Sequence, residues 1–123
     1  MKYAVTIAHR ASTRTPLELF KGEFVTFGEV YKGPENWPDW VWCVNSKNAG
    51  SWVPLQILER RDDGTAVVLE KYSARELDVD IGDLLTGFEE MNGWEWCVLE
   101  RNGEAGWVPL EKLRPWEDPG GIK

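Results

Sequence analysis

The chain holds one histidine, two cysteines and two methionines in 123 residues, and each scarcity removes a class of chemistry. His9 stands alone, with no Ser/His/Asp spacing around it from which a hydrolytic triad could be built, and reads as a solvated surface side chain. Cys43 and Cys97 show no CxxC spacing, and two thiols with one imidazole cannot complete a four-ligand zinc site. Asp78, Asp80 and Asp83 lack the glycine and terminal glutamate of a calcium loop. No glycine-rich phosphate cradle is present. No catalytic residue, metal or cofactor is therefore expected, and the reading is a protein that is not an enzyme. Long apolar runs are missing too. None exceeds about six residues, against the ~20 of a membrane span. Met1 to Arg10 holds no apolar stretch of signal-peptide length, so a cytoplasmic location with buried, inert thiols is expected.

Basic side chains are outnumbered, 14 against 21 acidic, for a net charge of −7. Residues 1–61 carry 8 basic and 6 acidic side chains (+2), and residues 62–123 carry 6 and 15 (−9). A nucleic acid partner is excluded, because phosphate binding needs clustered Lys and Arg. An acidic second half steers a basic ligand instead.

What the chain does hold is tryptophan, eight copies, arranged in a repeat. Trp40-Val41-Trp42-Cys43-Val44 returns as Trp94-Glu95-Trp96-Cys97-Val98. Gly50-Ser51-Trp52-Val53-Pro54-Leu55 returns as Ala105-Gly106-Trp107-Val108-Pro109-Leu110 with one residue more between the blocks. Leu17-x-Leu19-x-x-Gly22-Glu23 matches Leu77-x-Val79-x-x-Gly82-Asp83, and Ala4–Ile7 matches Ala66–Leu69 more weakly. Four blocks in one order point to a tandem duplication with its boundary near Arg60–Gly64. The first copy has about six extra residues within 28–39, by the usual allowance that insertions fall in loops.

Short β-branched and aromatic runs separated by Asn92-Gly93, Asn102-Gly103, Lys32-Gly33-Pro34 and Asn48-Ala49-Gly50 predict strands joined by turns. No stretch keeps a helical period over three turns. Pro54 and Pro109 each open a short 3-10 turn. The fold class is all-β, with residues 1–61 and 62–114 as two five-stranded small barrels and 115–123 as a frayed tail.

The second copy, from Tyr72 through Glu76-Leu77, Gly82-Asp83 and Gly93-Trp94-Glu95-Trp96 to Gly106-Trp107-Val108-Pro109, resembles an SH3 domain. The whole chain resembles a tandem SH3-like protein of a bacterial type. The resemblance implies an aromatic groove for an extended segment. Trp94, Pro109 and Tyr72 match groove positions, and Glu76, Glu89 and Glu90 fall in the loops that meet a ligand's basic residue. In the first copy Trp40 and Pro54 match, Arg10 falls where Tyr72 does, and Ile57 replaces a groove tyrosine. Glu70 and Glu111-Lys112 also depart from the family pattern. Trp37 lies in the insertion, which would overhang the first groove.

The resulting expectation is a module that binds a protein or peptide segment, proline-containing and basic, with Trp94 and Trp40 open to solvent. Trp42, Trp52, Trp96 and Trp107 are expected to fill the cores. Two alternatives stay open: a structural or regulatory subunit with covered aromatic surfaces, and a Tudor-like aromatic cage for a cationic group.

Overall fold

The computed structural model describes residues 1–117; the part of the expected tail at 118–123 lies outside the described residues. The protein is all-β. In chain order the strands are β1 Lys2–Val5, β2 Glu18–Leu19, β3 Phe24–Thr26, β4 Trp40–Val44, β5 Gly50–Pro54, β6 Leu58–Arg60, β7 Thr65–Val68, β8 Tyr72–Ser73, β9 Leu84–Met91, β10 Trp94–Leu99, β11 Ala105–Pro109 and β12 Leu113–Pro115. The helical elements among the described residues are two 3-10 turns, Leu55–Ile57 and Leu110–Lys112. Each follows a proline held near φ −60° (Pro54 at −64°, Pro109 at −61°), as a ring that fixes φ and needs no amide donor dictates. Among the described residues no helix is long and apolar enough to cross a membrane.

The chain divides into two compact units, and not at the expected boundary near residue 61. One unit is Met1–Arg14 together with the chain from Arg75 on; the other is Thr15–Ala74. The divided unit holds an antiparallel sheet in the order β11-β10-β9-β1-β12. Its core gathers Val5, Leu77, Val79, Leu85, Cys97, Leu99 and Val108, with Tyr3 and Leu113 packed alongside. A two-residue turn joins β9 to β10 with Asn92 at φ 50° and Gly93 at φ 90°. Asn-Gly is the pair that tolerates two successive left-handed residues, which is why the turn can be this tight. The register of β9 against β10 shifts between Trp96 and Cys97, a bulge that sequence alternation alone does not reveal.

The continuous unit, Thr15–Ala74, holds three small antiparallel sheets: β3-β7-β6, β4-β5 and β2-β8. Val30 bridges Val41, and the Tyr31 amide donates to the Trp40 carbonyl, so the start of the 28–39 insertion runs beside β4 rather than hanging free. None of the sheets in either unit closes on itself among the described residues.

The same pairings occur in both units. In the continuous unit β7 lies between β3 and β6, pairing Phe24 with Val67 and Leu58 with Val68. In the divided unit β1 lies between β9 and β12, pairing Leu84 with Ala4 and Leu113 with Val5. Each central strand is therefore the one that the repeat pattern assigned to the other half. The registers equate Val5 with Val68, one residue away from the sequence match of Ala4 with Ala66. A one-residue slip turns every side chain to the opposite face, so backbone pairing and not residue similarity sets the correspondence.

Finer details recur. Gly22 and Gly82 both sit at φ 91°, and their amides donate to Val68 and Val5. Glu23 and Asp83 each accept from the backbone amide three residues earlier, at 2.8 and 2.9 Å. The rings of Trp42 and Trp52 meet edge to face at 5.3 Å and 74°; those of Trp96 and Trp107 do so at 5.2 Å and 74°.

Two further expectations change. Pro115 ends β12, and the Trp116 amide donates to the Lys2 carbonyl, so the chain at 115–116 is paired and not frayed. The charge asymmetry between halves also dissolves. The divided unit carries 8 basic and 12 acidic side chains (−4), and the continuous unit 6 and 9 (−3). A specially acidic half, the basis for expecting a steered basic ligand, is not a property of either folded unit.

Both cysteines are free and buried. Burial pushes the Cys43 thiol up to about 11 and, with the nearby Glu95 carboxylate, Cys97 up to about 12. Since the thiolate is the reactive form, neither should react with an aromatic disulfide reagent at pH 8 in the native protein. Both should react at once in denaturant. Rapid native labelling of either would contradict the burial.

Candidate functional site

The nine residues singled out from sequence fall into two groups, one in each unit. In the divided unit, antiparallel pairing sets Trp94 of β10 directly across from Pro109 of β11. The 3-10 turn after Pro109 brings Lys112 round to His9, with Nζ 2.9 Å from Nδ1. On the other side of the ring, Nε2 lies 2.8 Å from Oε1 of Glu76. An ammonium can only donate, so Nδ1 accepts from Lys112 and Nε2–H is left to donate to the carboxylate. Ser12 donates its hydroxyl to the second oxygen of Glu76 at 2.8 Å. The His9 ring stands edge-on to the Trp94 indole, with centroids 5.5 Å apart at 81°.

His9 is thus no solvated surface residue: its side chain is 10% exposed and wedged among Trp94, Glu76 and Lys112. It is also the residue that corresponds to Tyr72. His9 pairs with Val79 where Tyr72 pairs with Leu19, so the sequence match to Arg10 was one position out. Arg10 points elsewhere, its guanidinium on Asp80 and the Val79 carbonyl.

Tyr72 is not part of the unit that holds Trp94. It belongs to the continuous unit, where its hydroxyl donates to the Trp52 carbonyl at 3.3 Å. There Trp40 faces Pro54 across β4 and β5 as Trp94 faces Pro109. Trp37 stacks on Tyr31 at 5.5 Å, Tyr31 meets Trp52 edge-on at 5.1 Å, and Trp52 in turn meets Trp42. The Tyr31 hydroxyl donates to Glu35. The insertion therefore adds rings to this unit as a self-packed row.

Exposure departs from expectation. Trp94 is 9% exposed and Trp40 5%, so neither indole is an open shelf, while Trp42, expected in a core, is 40% exposed. Trp107 is buried, and Trp52 and Trp96 are half-buried. The cause lies in strand geometry. Trp42 and Trp40 share a strand face by period 2, but Trp40 opens the strand opposite Pro54, whereas Trp42 lies farther along, met edge to face by Trp52.

Glu89 and Glu90 lie on the exposed end of β9, paired across the ladder with Trp96 and Glu95. Two strands separate them from Glu76, which bridges Trp107 on β11, itself paired with Trp96 opposite Glu89. The carboxylate that sequence reasoning missed is Glu95 itself. It is 6% exposed and faces inward with Cys97. Burial raises its pKa, and the charges of Glu90 and Glu89 push it the same way. A Cβ on Gly87 would come within 2.5 Å of its Oε2 and 2.7 Å of the Tyr3 ring, so the carboxyl occupies the space that the glycine leaves. The signal was present: alternation that puts Trp94 and Trp96 on one face puts Glu95 with Cys97 on the other.

Among the described residues no group of three or more His, Cys, Asp or Glu side chains is placed to hold a metal ion. Comparison with protein-family models, with curated proteins and with solved structures returned no match to this chain.

Proposed function

We propose that the two units are SH3-like folds that arose by tandem duplication and traded their first strands, and that the protein is a non-enzymatic cytoplasmic module that binds a protein segment. The observation that carries the reading is the repeated Trp–Pro pair. Trp94 opposite Pro109 is flanked by His9, and Trp40 opposite Pro54 lies in the unit that holds Tyr72, each pair running into a 3-10 turn. The two versions differ in chemistry. The divided unit has a polar edge of Glu76, Ser12, His9 and Lys112, whereas the continuous unit has the row Trp37, Tyr31 and Trp52.

The first of these is the better site for a basic segment. A ligand Lys or Arg takes the Glu76 oxygen now held by the Ser12 hydroxyl, and a ligand proline or other apolar group takes the Trp94 face as His9 swings aside. Exchanging one set of hydrogen bonds for another makes this a modest-affinity site. Titration of the full chain with a proline-containing basic peptide, followed by calorimetry and tryptophan fluorescence, tests it. Trp94→Ala should weaken binding by ~2 kcal/mol, the scale of an aromatic hot spot. Glu76→Gln should weaken it less and flatten its salt dependence. Equal affinity of all three proteins would remove the groove from consideration.

A second reading, a structural or regulatory subunit, draws on the low exposure of Trp94 and Trp40. It predicts no response to the peptide and indoles that an aqueous quencher does not reach. The aromatic-cage reading finds less support, since Trp37, Tyr31 and Trp52 pack successively on one another at 5.1–5.5 Å instead of surrounding a gap.

A further inference from the structure

The arm Met1–Arg14 completes a unit whose remaining chain begins at Arg75, with the whole of Thr15–Ala74 in between. Its strand β1 is interior to the sheet, hydrogen-bonded to β9 on one side and β12 on the other. Val5 is 2% exposed within the core. Beyond the strand, His9 and Val79 exchange backbone hydrogen bonds at 3.0 and 2.9 Å. The Ala11 amide donates to Asp78 at 2.7 Å, and Arg14 donates to the same carboxylate at 2.9 Å. Lys2 reaches Glu100, and Arg10 reaches Asp80.

Charge follows the same division. The arm carries three basic side chains, Lys2, Arg10 and Arg14, and no acidic one, whereas residues 75–123 carry 5 basic and 12 acidic. The arm is cationic, and the chain that forms its seat is net acidic. The stretch that leads out of the arm, Ser12 to Thr15, is exposed and outside any strand.

We infer that this seat is a strand-acceptor site whose second occupant is the Met1–Arg14 arm of another copy of the same chain. Every contact described above lies within the arm or at residue 75 and beyond, so each is reproduced unchanged when the arm comes from a second molecule. Only the path of the exposed connector differs. Exchange of an identical element is the low-cost route to a dimer, and here the arm leaves through the exposed connector Ser12 to Thr15. The balance is set by effective concentration: an arm tethered in its own chain competes at roughly millimolar. Dimers therefore form when the protein folds at comparable concentration, and monomers when it folds dilute. This inference concerns the sheet seat of β1 and stands independently of the peptide groove.

The test uses the full chain carrying Lys2→Cys and Thr86→Cys, two positions that face each other across β1 and β9. The protein is unfolded, refolded at about 1 µM or about 1 mM to bracket the tethered concentration, and then oxidised. The expected result is an intramolecular cross-link at the lower concentration. At the higher one a covalent dimer should form, at least tenfold enriched. Light scattering on the wild-type chain after the same refolding guards against an effect of the substitutions, and should show the same concentration-dependent dimer. Intramolecular cross-linking alone at both concentrations, with a wild-type monomer throughout, would overturn the inference.

Discussion

Removal of Met1–Ala8 is expected to unfold the unit that contains Trp94, Trp96 and Trp107, while leaving Trp40, Trp42 and Trp52 in a native environment. The deletion takes out β1, the strand that holds β9 and β12 in one sheet. It exposes the core that Val5 shares with Leu77, Val79, Leu85, Leu99 and Val108. The loss is not confined to one strand. β12 pairs only with β1 among the described strands, so both leave the sheet together. The continuous unit keeps all its own strands, β2 to β8. Indole N–H signals in a proton–nitrogen spectrum give the readout, since each tryptophan reports on its own unit. A point substitution makes the same case more gently. Val5→Asp places an unpaired carboxylate in the core and should cost roughly 4 kcal/mol in the divided unit alone. Division of the chain near residue 61 makes the opposite forecast, with Trp40, Trp42 and Trp52 the ones lost. Simultaneous loss of all six signals would deny that the continuous unit stands by itself.

This contrast marks the limit of what could be read from residues. Strand positions were legible because each is a short local pattern bounded by turn residues. Trp94–Leu99 was located to the residue, and both 3-10 turns follow the prolines that announced them. Partnership was not legible. Tyr3-Ala4-Val5 and Ala66-Val67-Val68 are both short, small-to-medium apolar strands, and β12 and β6 offer either one a similar edge. Nothing local distinguishes them, and proximity in the chain favours the pairing that the protein does not use. Pairing across more than 100 residues, as between Val5 and Leu113, is a property of the whole sheet.

The site suffered from the same exchange. Tyr72, grouped from sequence with Trp94 and Pro109, lies in the continuous unit, whereas the other two lie in the divided one. His9 reads from sequence as a solvated surface residue because its neighbours Glu76 and Lys112 are 67 and 103 residues away. Glu76 lies against His9, while the Asn92-Gly93 turn converts the expected loop around Glu89 and Glu90 into a strand extension.

Glu95→Gln should make the divided unit more stable at pH 7 and remove a slope from its stability against pH. Glu95 is buried and its pKa is raised, chiefly by desolvation and further by Glu90 and Glu89. The folded state thus holds the protonated carboxyl better than the unfolded chain does. Its favourable contribution is complete below the unfolded value, about 4.3, and is lost as pH rises through the raised folded value. Asp78 and Asp83 behave in the opposite sense. Backbone and arginine hydrogen bonds lower their pKa values against the opposing effect of burial, so their contribution is lost on acidification. The difference between wild type and Glu95→Gln isolates this carboxyl, and unfolding midpoints should begin to diverge above about pH 4.3 and level off once pH has passed the raised folded value.

The continuous unit supplies a control for the same position. Val41, which corresponds to Glu95, is fully buried, and Phe27 stands where the divided unit has Gly87. Phe27 is half-buried with the Arg60 guanidinium 4.5 Å over its ring, whereas the divided unit sets a carboxyl and the Tyr3 ring over Gly87. Glu95→Val should therefore raise stability at pH 7 by about 1 kcal/mol, the low end for replacing a buried charge by an aliphatic group. Gly87→Ala alone should lower it by about 1 kcal/mol, because the added carbon meets Glu95 Oε2 and the Tyr3 ring. With Glu95→Val in place the carboxylate oxygen is gone, and only the Tyr3 ring, 2.7 Å away, still contests the added carbon. The double variant should then exceed the sum of the single effects. Strict additivity would mean that Glu95 does not occupy the room over Gly87.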